Sequence, residues 1–247
     1  MNDAAAPQPK FGPDGFRDRG AQATRLEAFV DAAFAFALTL VVIAGNSMPR
    51  SVDELVLAMQ AVPSYAASFL LIMRCWFGHS DWSRRYGLDD NASRRLSVLL
   101  VFLVLIFVYP MRMVFSSLFN ALSGGALPTN FSISSYADIP AMFIMFAVAF
   151  GLLGSVMVGL YVHAWRQREA LGLSLHEQEQ TRFYLMNWAA VPLVSMLSVV
   201  LALAIPARAE SGVWLGMPGF VFFLLNLAPM LARRLARRWA KTQPVDA

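Results

Sequence analysis

One cysteine in 247 residues leaves no disulfide framework and no thiol pair for metal or redox chemistry, and that residue, Cys75, sits in an apolar run. Histidine is almost as scarce: His79, His163 and His176 are scattered, and no two have metalloprotease spacing. Neither a phosphate-binding glycine loop nor a nucleophile elbow occurs, so the chain is not read as an enzyme and no cofactor is implied. Charge is also thin. Only 15% of residues are charged against 57% hydrophobic, with a mean hydropathy of +0.53, which fits no ordinary soluble domain. The basic excess, 20 Lys and Arg against 16 Asp and Glu, would suggest nucleic acid in a soluble protein. Here the basic residues lie between apolar blocks, where they act as topology signals, and nucleic acid is excluded as a partner.

The apolar residues gather into six blocks, each near the ~20 residues that a helix needs to cross the hydrocarbon. They run from Arg25 to Ala44, Val52 to His79, Leu96 to Leu118, Ile139 to Trp165, Phe183 to Pro206 and Val213 to Leu231. All read as helices, giving an all-α integral membrane protein with six transmembrane helices per subunit. Thr24 to Glu27 and Ser51 to Glu54 form capping boxes that encode two of the starts locally. The expected organisation is a cytosolic tail over 1–24, a membrane domain over 25–231 and a basic cytosolic tail over 232–247. Met1 to Pro13 has no apolar core and no small-residue cleavage pattern, so it reads as a loose tail rather than a signal peptide.

Cationic residues alternate cleanly between the two sides. Lys10, Arg17, Arg19 and Arg25 precede the first span; Arg84, Arg85, Arg94 and Arg95 follow the second; Arg166, Arg168 and Arg182 follow the fourth. Arg233, Arg234, Arg237, Arg238 and Lys241 follow the sixth, whereas the opposite side has only Arg50 and Arg208. The positive-inside rule therefore puts both termini in the cytosol. The long loop from Phe119 to Asp138 lacks Lys and Arg and falls outside. The arginines after the sixth span share one helical face, which suits anionic lipid head groups or serves only as a stop signal.

Ionisable residues inside spans are costly and are functional candidates by default. Asp31 lies about two turns into the first span and Arg74 near the cytosolic end of the second, so the two can share a depth. An Asp31–Arg74 pair with Trp76 and His79 as hydrogen-bonding neighbours would leave no lone charge; the alternative is a snorkelling Arg74 and a hydrated Asp31. Arg112, late in the third span, is expected to snorkel outward. His176-Glu177-Gln178-Glu179 reads as a solvated charged turn, not a metal site. Gly151, Ser155 and Gly159 form a small-residue stripe suited to helix contact.

At 100° per residue, Ala32, Phe36, Thr39 and Ile43 fall within about 60° of one another, while Asp31 projects about 110° from their mean. From spacing alone this stripe reads as ordinary packing rather than as a functional face.

The segment Arg25-Leu26-Glu27-Ala28-Phe29-Val30-Asp31, continuing Ala-rich to Thr39, resembles the first-helix signature of the transmembrane protein 175 family of potassium channels. That signature reads Arg, three residues, then Phe-Ser-Asp. Pro63-Ser64-Tyr65, Ser68-Phe69-Leu70, Trp76, His79 and Val108-Tyr109-Pro110 extend the likeness over about the first 120 residues. The resemblance implies a homotetramer around a central pore lined by the first helix, with Phe36 at the hydrophobic constriction and Thr39, Ile43 and Ala32 on the same stripe. It also implies a polar network of Arg25, Asp31, Arg74, Trp76 and His79 near the cytosolic face. Two departures stand out: Val30 replaces the family serine, and Phe36 replaces a branched aliphatic residue. The implied function is a channel for potassium or other monovalent cations in the cell membrane, with a bacterial inner membrane expected. A non-conducting scaffold plugged by Phe36 and a secondary transporter using Asp31 and Arg74 are the alternatives.

Overall fold

The structure, a computed structural model, describes residues 11–20, 22–43, 49–129, 131, 138–205 and 213–243. Met1 to Lys10, Ala44, Pro206, Arg208 and most of the Ser and Asn cluster of the long polar loop lie outside the described residues.

Among the described residues eight α-helices follow in order: α1 (Arg25–Ile43), α2 (Val52–Gln60), α3 (Val62–Tyr86), α4 (Asn91–Leu122), α5 (Asp138–Arg166), α6 (Leu175–Ala204), α7 (Met217–Phe220) and α8 (Ala228–Ala240). Short 3-10 segments, Val213–Gly216 and Val221–Asn226, flank α7. Among the described residues four helices are each long and apolar enough to cross a membrane, and two bent pairs, counted as one span each, bring the number to six. The all-helical, multi-pass reading therefore holds.

Two spans expected to be continuous are bent. The second turns by 45° between α2 and α3, where Pro63 opens a new helix because it has no N–H to extend the old one. The sixth turns by 43° just before α8, with Pro229 in its first turn. As α8 continues to Ala240, the expected boundary between residues 231 and 232 falls inside a helix. Caps, not hydropathy, fix other ends. Asp90 accepts the Ser93 amide and starts α4 at Asn91 rather than Leu96, while the Ser174 and Glu177 capping box starts α6 at Leu175 rather than Phe183.

α5 packs most extensively on α6 and next on α4. Between them Phe107, Phe146, Phe150 and Phe222 form a ring cluster with centroids 5.2 to 5.9 Å apart. The closest approach is at Gly154, where a Cβ would sit 2.6 Å from Val191 Cγ1. The Gly151, Ser155 and Gly159 stripe is not one contact face. Gly151 meets Ser195 of α6 and Gly159 meets Leu96 of α4, while Ser155 is exposed and bonds back to the Gly151 carbonyl at 2.8 Å. The tight register is offset to Gly151 and Gly154 because residues three apart share the face that α6 covers.

Candidate functional site

Thr24 and Glu27 start α1 reciprocally: Glu27 N–H donates to Thr24 Oγ1 at 3.1 Å and Thr24 N–H to Glu27 Oε2 at 2.8 Å. Beyond this cap the helix has two opposed faces. Val30, Phe34, Ala37 and Val41 are buried, none more than 2% exposed, against α3 and α4. Ala32, Phe36, Thr39 and Ile43 project about 160° away from that face. All four are exposed in the isolated subunit, Phe36 at 56% and Ile43 at 61%. Thr39 donates its hydroxyl to the Ala35 carbonyl at 3.0 Å, which leaves the oxygen lone pairs directed outward from the helix.

The polar network is divided differently from the expectation. Asp31 accepts from Trp76 Nε1 at 2.7 Å, tying α1 to α3. Arg74 does not pair with Asp31; its guanidinium lies over the Trp188 ring of α6, 5.2 Å from the centroid. The indole face offers the exposed guanidinium a cation–π partner on α6. Gly78 permits this, since a Cβ there would overlap the Trp188 ring. His79 is buried and shares a 2.9 Å hydrogen bond with Ser97 of α4, so it braces α3 against α4 instead of serving Asp31. Arg25 is exposed and makes no ion pair among the described residues. Arg112 packs over the Tyr65 ring at 4.8 Å rather than reaching outward unpartnered.

A second polar centre lies at the basic end of the bundle, built by residues just beyond the loose tail expected over Met1 to Pro13, most of which lies outside the described residues. Phe11 and Arg17 form an isolated antiparallel bridge around a turn in which Gly15 has φ 74°, a left-handed value glycine adopts without strain. Phe16 is 1% exposed and meets Tyr86 edge-on at 5.4 Å. Asp14 accepts from Arg85 at 2.9 Å, and Arg85 also donates to the Tyr184 hydroxyl at 2.9 Å. Burial alone would raise the Asp14 carboxyl, but the Phe16 amide and the Arg85 guanidinium hold it below the ordinary carboxylate value. Arg19 donates to both oxygens of Glu177 at 2.8 and 3.0 Å, and the Arg17 amide donates to Glu177 at 3.0 Å. Glu177 is thus a buried clamp and an N-terminal cap, not part of a solvated turn. The pattern Ser174-x-x-Glu177 was the available signal for its cap; nothing in spacing reported Arg19, 158 positions away.

Together these features define an all-helical, multi-pass membrane protein whose first helix is packed on one side and presents an apolar stripe with one hydroxyl on the other. Residues 25–110 match the family described as Endosomal/lysosomal potassium channel TMEM175, and the recognition carried by the first helix holds. A relative from Marivirga tractuosa, named a potassium channel, is 28% identical over 215 residues, covering 85% of this chain and 85% of that protein. The crystal structure of a variant of the potassium channel MtTMEM175, in complex with a nanobody-MBP fusion protein, has the same fold. It superposes with a TM-score of 0.78 at 24% identity, over 92% of this chain and 99% of that one. A lysosomal potassium-selective channel TMEM175 homologue from Chamaesiphon minutus aligns at a TM-score of 0.49 and 20% identity, over 82% of this chain and 97% of that one.

Proposed function

We propose that this chain is a potassium-permeable cation channel, with α1 lining the pore in a homotetramer. Phe36 forms a hydrophobic constriction, with Thr39 and Ile43 on one side of it along the pore and Ala32 on the other. The observation that carries this is the opposition of faces on α1: one side is sealed against α3 and α4, and the other exposes a continuous apolar stripe. On a membrane protein such a stripe faces lipid, a neighbouring copy or the axis of a symmetric assembly, and the Thr39 hydroxyl on it favours the axis. With no fixed charge on it, selectivity comes from width and from the cost of partial dehydration at an apolar ring.

Both termini are assigned to the cytosol from the distribution of Lys and Arg, and the protein to the cell membrane, a bacterial inner membrane, from the family resemblance. Anionic lipids are the proposed partners of the C-terminal basic segment. The test is purification in mild detergent, a mass measurement of the oligomer, and recording in planar bilayers. A tetramer passing discrete potassium currents supports the proposal. A monomer at all concentrations removes the axial pore, and slow coupled flux without unitary steps indicates a transporter.

A further inference from the structure

At the basic end of the bundle, where α5, α6 and α8 meet, two indoles and two guanidiniums are stacked with a cationic surplus. Trp165 and Trp239 pack edge-on at 5.4 Å. The Arg182 guanidinium lies over both, 5.3 Å from the Trp165 centroid and 4.5 Å from that of Trp239. Arg168 approaches Trp165 as well, at 5.2 Å, so two cations share one ring. Arg168 also reaches Glu169 at 2.9 Å, but that carboxylate is 85% exposed and heavily screened. Arg182 has no ion pair among the described residues, and its Nε is buried without a hydrogen-bond partner.

The neighbouring helix adds charge without neutralising any. α8 carries Arg233, Arg234, Arg237 and Arg238 and no acidic residue. Ala232 and Ala236 pack it against the bundle, which leaves Leu231 and Leu235 52% exposed. Arg234 and Arg238 lie on the same side as these leucines, within an arc of about 100°. Apolar side chains, two indoles and an Arg182 guanidinium without an ion pair among the described residues, side by side, match a two-part ligand, anionic at one end and hydrocarbon at the other.

We propose that this junction is a binding site for an anionic phospholipid, with the phosphate held by Arg182 and Arg168 and the acyl chains laid along Leu231 and Leu235. It deepens the lipid partner named above, from a basic tail attracted to a charged surface to a built site involving α5 and α6. Arg182 supplies what a diffuse tail does not, a guanidinium fixed in place by two rings and lacking an anion.

The full chain is reconstituted in phosphatidylcholine vesicles containing either dibromo-phosphatidylglycerol or dibromo-phosphatidylcholine, and tryptophan quenching gives the relative association of the two lipids. Wild-type protein prefers the anionic lipid, and Arg182→Gln lowers that preference by about fivefold, the weight of one arginine at a charged surface. Arg168→Gln, at a more exposed position, lowers it in the same direction and stands in if Arg182→Gln does not assemble. Arg94→Gln, paired with Asp89 away from the junction, leaves it unchanged. Equal quenching by both lipids in wild type, or an undiminished preference in Arg168→Gln and Arg182→Gln, overturns the site. Displacement by millimolar inorganic phosphate would make it a soluble-anion site and also overturn it. The readout is binding, so a failure here leaves the channel proposal standing, and a silent channel leaves this one testable.

Discussion

Arg19 and Glu177 are 158 positions apart and make a two-point ion pair at 2.8 and 3.0 Å. Their side chains are only 12% and 5% exposed. The pair fastens the segment before α1 to the first turn of α6, and so controls where the first helix enters the bundle. Planar guanidinium and carboxylate match at two atoms, which holds the orientation more firmly than a single contact does.

Removing one partner leaves the other charge buried alone. Glu177→Ala is expected to cost about 3 kcal/mol, because it also strips the α6 cap and the acceptor of the Arg17 amide. Thermal unfolding of the detergent-solubilised protein checks this, with limited trypsin digestion as a second readout. Cleavage after Arg17 and Arg19 should accelerate in the variant. Unchanged melting and protection would make the clamp a surface contact.

Acid should loosen the same tail. The folded-state pKa of Asp14 lies below its unfolded value, so its contribution is complete above the unfolded pKa of about 4 and is lost as pH falls through the folded one. Melting temperatures of wild type and Asp14→Asn should therefore differ at neutral pH and converge below about pH 4. A difference that persists unchanged at pH 3, about a unit below the reference value, would remove Asp14 from the linkage.

The spans, the all-helical class and the apolar stripe on α1 were legible because each is written in local composition and in a 3.6-residue period. The partner of Arg74 was not. Depth matching compares axial positions and cannot register that Gly78 lets Trp188 lie across α3 at the same level. The anchoring of the segment before α1 was not legible for a related reason: Asp14, Phe16 and Arg19 are held by Arg85, Tyr86 and Glu177, all remote in sequence. The bends before α3 and α8 were signalled by Pro63 and Pro229, yet hydropathy runs through both and conceals them.

The replacement of the expected Asp31 and Arg74 pair by Asp31 and Trp76 is measurable by double-mutant cycles. Asp31→Asn with Trp76→Phe should show a coupling of about 1.5 kcal/mol, the range for a hydrogen bond to a charged group. Asp31→Asn with Arg74→Gln should be additive within about 0.5 kcal/mol. The reverse pattern would restore the ion pair. Trp76→Phe removes the N–H together with part of the ring, and the cycle cancels the packing loss because it appears in both arms.

Phe34 and Phe36 have the same side chain two positions apart on one helix, and their surroundings differ completely. Phe34 is 2% exposed in the core of the subunit, whereas Phe36 is 56% exposed on the stripe. Phe34→Ala should leave a cavity costing about 3–5 kcal/mol. Phe36→Ala should cost less within the subunit, because more than half of the side chain is already exposed. On the proposed tetrameric pore it should act on permeation: shortening the four rings placed there would widen the lumen and weaken dewetting, so potassium flux into liposomes should rise. Thr39→Val removes the only hydroxyl of the stripe while keeping its shape, and should change conductance or selectivity without changing melting. The measurement is paired, flux and thermal stability for each variant. Equal flux changes at positions 34 and 36, or unaltered flux in Phe36→Ala with an intact oligomer, would move the constriction away from Phe36.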